Sequence, residues 1–227
     1  ALSDEDTGSN SLAIGYYALN KQNNDSNNYN IAIGHSAGLE ITTGTNNVLL
    51  GGLAGSNLVG GSYNVAIGTQ ALYTEDGHGK NVAVGFESLK VQDAGSDAYN
   101  VAVGYQSGKA VTTGVGNTIM GGAAADALTT GSYNIAMGAF SLSVEDTGSK
   151  SVAVGYAALE NQNNDSDNYN VAVGHNAGKM ISTGTSNTLV GGLAGDALTV
   201  GDNNIAVGRS ALSAETQGDR NVAIGNF

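Results

Sequence analysis

The sequence has no cysteine and no proline. Without cysteine there are no disulfides and no thiolate metal sites, and the redox compartment is left open. Without proline, glycine at 35 of 227 residues does not describe collagen, whose Gly-X-Y period goes with abundant proline. Cations are scarce too: 8 Lys and Arg against 20 Asp and Glu give a formal charge of −12. That balance disfavours nucleic acid and anionic membranes as partners, because both attract basic surfaces. No apolar run approaches the roughly 18 residues that span a bilayer, so no direct membrane insertion is expected. No signal peptide opens the sequence at Ala1.

What is present is a short period. Asn64-Val65-Ala66-Ile67-Gly68 recurs, lightly varied, thirteen times, with starts spaced 19, 17, 17 and 17 residues in a series that repeats. The steps sum to 70, so residues 1–227 read as a single array, with super-repeats at 11–80, 81–150 and 151–220. Hydrophobic residues at 41% are too many for a disordered Gly/Ser/Asn-rich linker. Ala1-Leu2-Ser3 aligns with the middle of a unit, and Asn226-Phe227 stops early in one. Repeat arrays need capping units, so the expectation is a segment cut from a longer array.

Counting the first residue of a unit as position 0, position 1 is an apolar β-former nearly throughout (Ile31, Val48, Val65), with Thr118 and Thr188 as polar exceptions. Position 3 is likewise large and apolar (Ile33, Leu50, Ile67), whereas position 2 is Ala in ten units. Alternation across a strand sets the branched residues against the alanines, and a strand apolar on both faces should be buried on both. Branched residues filling the coil would leave the Ala face to meet neighbouring chains, but alternation leaves open which face does which. Leu49, Ile119 and Leu189, which interrupt the alanines every 70 residues, then become hydrophobic plugs on an assembly axis.

Position 4 is always glycine (Gly34, Gly51, Gly68, Gly85, Gly104, Gly121, Gly138, Gly155, Gly174, Gly191 and Gly208 among them), which predicts a corner of positive φ or one with no room for a Cβ. Position 7 is always Ala or Ser, so a small inward residue is needed there. A second glycine stands three residues before most starts (Gly44, Gly61). Asn27, Asp97 and Asp167 take that place in the 19-residue rungs, which predicts a left-handed turn. The asparagines at position 0 (Asn30, Asn47, Asn64, Asn81, Asn100, Asn117, Asn134, Asn170, Asn187, Asn204) predict a ladder bonding rung to rung. No window sustains a helical period. The fold expected is all-β: a parallel β-solenoid, or β-roll, of 17- and 19-residue rungs.

The repeated Asn-Val-Ala-Ile-Gly followed by Ala-Leu or Ser-Leu resembles the YadA-like head repeats of trimeric autotransporter adhesins. It is similar also to the Gly-Ser-x-Asn-Val-Ala-Ile-Gly-x-x-Ala-Leu repeats of phage tail-fibre proteins. The resemblance covers the whole chain and implies a left-handed β-roll intertwined as a homotrimer, extracellular, on a bacterial surface or a virion tail. Rungs of 17 or 19 residues exceed that family's shorter units and imply a longer outer loop.

Chemistry is thinly represented. His35 and His175 are equivalent by the period, but Tyr105 replaces them in the middle repeat, so a metal ring of His35 on a threefold axis is the weaker reading beside an ordinary surface residue. His78 aligns with Gly8 and Gly148 and reads as a loop residue. The acidic clusters Asp4-Glu5-Asp6, Glu75-Asp76 and Glu145-Asp146, with Glu215, Asp25 and Asp165, read as solvated loops. Calcium is the one cofactor they could admit, but no calcium-loop motif is present. Gly51-Gly52-Leu53-Ala54-Gly55 lacks phosphate-loop spacing and reads as a corner. No Ser–His–Asp set or grooved carboxylate pair recurs, so neither an enzyme nor a polysaccharide depolymerase is expected.

Position 5 carries exposed rings: Tyr16, Phe86 and Tyr156 at one phase, His35, Tyr105 and His175 at the next. Such rings could stack on sugar faces or merely cover the coil's edge. Asn24-Asp25-Ser26 and Asn164-Asp165-Ser166 are sequons. The function expected is a structural or adhesive fibre engaging a host-surface glycan or protein receptor. The alternative is a single-chain solenoid that binds ice or carbohydrate, although the Thr pairs an ice face needs (Thr42-Thr43, Thr112-Thr113) occur only in some rungs.

Overall fold

A computed structural model describes residues 2–3 and 10–226. Its elements are three-residue strands, each taken from positions 1–3 of one repeat unit. The chain forms two compact units, 1–115 and 116–227. In the first unit the strands are β1 (Leu12–Ile14), β2 (Ile31–Ile33), β3 (Val48–Leu50), β4 (Val65–Ile67), β5 (Val82–Val84) and β6 (Val101–Val103). In the second they are β7 (Thr118–Met120), β8 (Ile135–Met137), β9 (Val152–Val154), β10 (Val171–Val173), β11 (Thr188–Val190), β12 (Ile205–Val207) and β13 (Val222–Ile224). Within each unit every strand pairs in parallel with the next in sequence. Like positions face one another: Val48 opposite Val65 and Ala66 opposite Ala83, or Ile135 opposite Val152. One strand per rung, paired in order, is a parallel β-solenoid. Among the described residues no helix is long and apolar enough to cross a membrane.

Of the two strand faces, the enclosed one is the alanine face. Ala32, Ala66, Ala83 and Ala102 are fully buried inside the coil, as are Leu49, Ile119 and Leu189, whereas the β-branched residues beside them are half-buried or exposed. The reason is volume. Two further inward positions, 8 and 11, deliver the large side chains of the core: Leu19, Leu72 and Leu89 at the first, Ile41, Leu58 and Leu128 at the second. Where Leu occupies position 8, position 2 must be small. In β3 the order is exchanged, and Leu49 fills the space over Gly38 and Gly55, at each of which an added Cβ would stand 2.8 Å from a Leu49 methyl. The expected plugs are therefore core side chains within one coil.

Other expectations hold. The corner glycines have φ near +130° to +144°, as at Gly51 (132°) and Gly104 (143°), and a Cβ on Gly68 would stand 2.4 Å from the Gly85 carbonyl oxygen of the next rung. Position 7 is buried in every rung, for example Ala37, Ala71 and Ser88. The asparagine ladder is built. Asn47 donates its N–H to Asn30 Oδ1 (2.9 Å), Asn64 to Asn47 Oδ1 (2.9 Å) and Asn204 to Asn187 Oδ1 (2.9 Å). Most of these amides also donate within their own rung, Asn47 Nδ2 to the Gly61 carbonyl at 2.9 Å and Asn187 Nδ2 to Gly201 at 2.8 Å, whereas Asn81 Nδ2 is buried without a partner.

The second glycine is needed for approach, not for a left-handed turn. Gly44 has no positive φ, but a Cβ there would meet the Gly61 carbonyl oxygen at 2.4 Å. Asn27, Asp97 and Asp167 are not left-handed either. The left-handed residue is the one just before each start: Tyr29, Asn46, Tyr63, Tyr99 and Tyr169, with φ of 52°–62°. Positions 6 and 8 are left-handed as well (Gln70, 59°; Leu72, 50°). A non-glycine residue held there costs about 1–2 kcal/mol. Each donates its N–H to a neighbouring rung, Tyr63 to Thr45 O (3.0 Å), Gln70 to Gly52 O (3.0 Å) and Leu72 to Ser88 O (3.0 Å), so that the inter-rung bonding continues around the coil and offsets the strain.

Candidate functional site

With most of the interior taken up by packing and the ladder, the outer side chains come first. The residue after the corner glycine points outward, and the in-register pairing sets like positions of adjacent rungs beside one another. The rings predicted at position 5 therefore come together as three stacked pairs. Tyr16 lies on His35 with ring centroids 5.6 Å apart and planes 23° from parallel. Phe86 lies on Tyr105 at 5.5 Å and 11°, and Tyr156 on His175 at 5.3 Å and 14°. All six are exposed, Tyr16 at 63% and Tyr105 at 59%. Phe140 adds an edge contact to Tyr156 at 5.9 Å. One rung beyond Tyr16–His35 in the first unit stands Gly52, and one rung beyond Tyr156–His175 in the second stands Gly192; at each an added Cβ would meet nothing closer than 4.0 Å. These two pairs thus end in an open step beside a ring face, a shape suited to a flat, partly apolar partner such as a sugar ring.

A second set of tyrosines, Tyr29, Tyr63, Tyr99, Tyr133 and Tyr169, is exposed at the position before each start. Two of them carry a cation on their face: Lys80 Nζ lies 5.1 Å from the Tyr99 centroid and Lys150 Nζ 5.1 Å from that of Tyr169. The same lysines pair with Asp97 and Asp167 at 2.6 Å, contacts that raise the lysine pKa and lower that of each aspartate. Glu87, buried at the coil's flank, takes Lys90 (2.6 Å), Lys109 (2.9 Å) and Gln106 (2.8 Å), which hold its carboxyl down at about 2.

The acidic loops are not uniformly solvated. Glu75 and Glu145 are fully buried, because they occupy position 11, the inward place that Leu58 and Leu128 fill elsewhere. Their exterior neighbour Asp76 and the loop residues Asp25 and Asp165 are exposed, Asp146 and Glu215 are half-buried, and Asp4-Glu5-Asp6 lie outside the described residues. Glu145 is satisfied: Oε1 accepts the Gly148 N–H at 2.7 Å, and Oε2 accepts Gln162 Nε2 (2.9 Å) and Asn168 Nδ2 (3.0 Å). Glu75 keeps the first of these bonds, from the His78 N–H at 3.1 Å, but its Oε2 is buried with no hydrogen-bond partner. Burial pushes the Glu75 carboxyl up to about 7. His78, expected as a bare loop residue, is half-buried, with Nδ1 3.5 Å from Glu75 Oε1. Sequence reasoning missed this pair because the inward register of position 11 was not read. The alternation of Glu with Ile, Leu and Val down that column was the available signal.

Comparison with family models, curated proteins and solved structures found no match. Geometry alone must carry the functional reading. The recess of about 420 Å³ among Ala211, Leu212, Val222 and Ile224 contains no titratable side chain.

Proposed function

We propose that this chain is a segment of a rigid, non-enzymatic extracellular fibre that assembles as a homotrimer. It would belong to a bacterial surface adhesin or a phage tail fibre and present repeated binding surfaces to a host glycan or protein receptor. The observation that carries this reading is the apolar stripe left outside the coil. In the first unit Ile14, Ile31 and Ile67 are exposed, and in the second Met120, Ile135, Met137, Val190 and Ile205. Positions 1 and 3 turn two residues of each strand outward, exposed or half-buried and apolar except at Thr118 and Thr188, and their alignment from rung to rung within each unit makes a hydrophobic face of the kind that marks an interaction surface. A second copy of the same chain carries the same period and can match the stripe rung for rung. The assembly surface is thus the branched face, not the alanine face. Three chains would triple each ring pair, so that weak contacts add through effective concentration.

The stacked rings also suit a single-chain carbohydrate-binding solenoid. Ice binding is supported less, because threonine stands on the outer strand face only at Thr118 and Thr188. Light scattering on the purified chain separates these readings. A mass near three times 22.6 kDa, falling to 22.6 kDa in an Ile67→Lys/Met137→Lys variant that keeps its β circular dichroism, is the expected result. A stable wild-type monomer would overturn the fibre proposal.

A further inference from the structure

We propose that Glu75, Asp76, His78 and Asp93, at the junction of the super-repeats 11–80 and 81–150, form a binding site for a single divalent transition ion of the zinc type. One ligating atom from each of these residues lies within 4.8 Å of all the others. The clustering alone would be unremarkable for an acidic surface. What singles it out is the unpartnered Glu75 Oε2, on a side chain with no solvent exposure, together with His78 Nδ1, also buried without a hydrogen-bond partner.

The repeat supplies its own control. Seventy residues on, the equivalent Glu145 has both carboxylate oxygens satisfied by Gly148, Gln162 and Asn168. Around Glu75 three of the corresponding residues differ at once. His78 stands for Gly148, Ala98 for Asn168 and Asp93 for Asn163, while Gln92, the counterpart of Gln162, turns its Nε2 to Thr112 O at 3.0 Å. Two amide donors are thereby withdrawn from a buried carboxylate, and an imidazole and a further carboxylate are brought up instead. Without a cation this combination is unfavourable, because a buried charge that loses its donors keeps its desolvation cost. With a cation all four side chains become ligands.

Donor chemistry selects the ion. Calcium takes six to eight oxygens, whereas an imidazole with carboxylates suits zinc and its neighbours. Tetrahedral zinc with bonds of about 2.0 Å sets its ligands about 3.3 Å apart. Contraction from 4.8 Å falls to the exposed Asp76 and Asp93, whose side chains are free to rotate, while Glu75 and His78 are already held by the rung. The site lies within one chain and does not depend on the proposed assembly.

The test is calorimetric titration of the full chain with zinc chloride at pH 7, alongside His78→Gly and Asp93→Asn. Those substitutions install the residues found at the equivalent places of other super-repeats, so they keep the fold, and circular dichroism verifies it. One ion per chain is expected, at least ten-fold weaker in each variant and not displaced by a hundred-fold excess of calcium. Cobalt in place of zinc should give visible d–d absorption that His78→Gly abolishes. Absence of binding, equal binding by the variants, or displacement by calcium would each overturn the proposal.

Discussion

Replacing Leu49 by alanine empties the one core position where β3 departs from its neighbours. Leu49 is fully buried, and its methyls occupy the places where side chains at Gly38 and Gly55 would otherwise begin. The rungs on either side are fixed by the ladder bonds from Asn30 to Asn47 and from Asn47 to Asn64, so the cavity cannot collapse. The loss should lie toward the upper end of the range for buried Leu→Ala, about 4 kcal/mol. Gly55→Leu alone should also destabilise, by about 2–4 kcal/mol, because its Cβ would stand 2.8 Å from Leu49 Cδ2 and overpacking adds to left-handed strain. Together the two changes recreate the arrangement of Ala66 with Leu72 and Ala83 with Leu89, where leucine is held at φ of 50° and 47°. The double variant should therefore recover at least half of the summed loss. Urea unfolding supplies the cycle, and native-state hydrogen exchange at β3 and β4 localises it, since repeat arrays need not unfold in one step. Additive losses would refute the exchange of volume between positions 2 and 8.

Two further perturbations address the polar parts of the coil. Asn187→Ala removes the acceptor of the Asn204 N–H and Nδ2 (2.9 and 3.0 Å) and the donor to Gly201 O, leaving buried groups unpaired. A loss of about 3 kcal/mol is expected, with faster amide exchange in β11 and β12, and a loss under about 0.5 kcal/mol would show that water replaces the ladder. Glu87, held at about 2 against an ordinary value of 4.5, binds fewer protons folded than unfolded between those limits. Its stabilisation is therefore complete above pH 4.5 and lost as pH falls toward 2. In paired acid titrations the stability difference between the wild type and Glu87→Gln should close over that window, and a constant difference would count against the Lys90–Glu87–Lys109 arrangement.

The rung period, the asparagine ladder, the corner glycines and the small position 7 were legible because the period rests on one-residue steric or hydrogen-bonding demands repeated from rung to rung: glycine in all thirteen units, asparagine in eleven, a small position 7 in twelve. The inside of the coil was not. Alternation at Val65-Ala66-Ile67 separates two faces without saying which is enclosed; that depends on the volume brought by Leu72 and Leu58 from elsewhere in the rung. The left-handed residues were invisible for a related reason. Tyr63, Gln70 and Leu72 carry no turn signature and are held at positive φ by inter-rung bonds that exist only after stacking. Glu75 read as solvated because its neighbours Asp76 and Gly77 are loop residues, while its own side chain points into the column of Leu58 and Gln92.

The same division explains where variation can carry function. Positions 0, 2, 4, 7, 8 and 11 answer to the coil: a carbonyl 2.4 Å from any Cβ at Gly68 or a methyl 2.8 Å from one at Gly55 leaves little choice. Position 5 answers to nothing inside, and there the chain sets Tyr16 on His35, Phe86 on Tyr105 and Tyr156 on His175, the first and last of these pairs followed by a bare glycine. A scaffold bonded from rung to rung loses no backbone order when a ligand meets those rings, so even a weak contact keeps most of its free energy. The buried Glu75 departs from this pattern in the opposite direction, placing a charge where the coil elsewhere demands leucine or a satisfied amide network. A position that opposes its own scaffold is where a function should be sought, and Glu75 with His78 meets that description more closely than any other described pair.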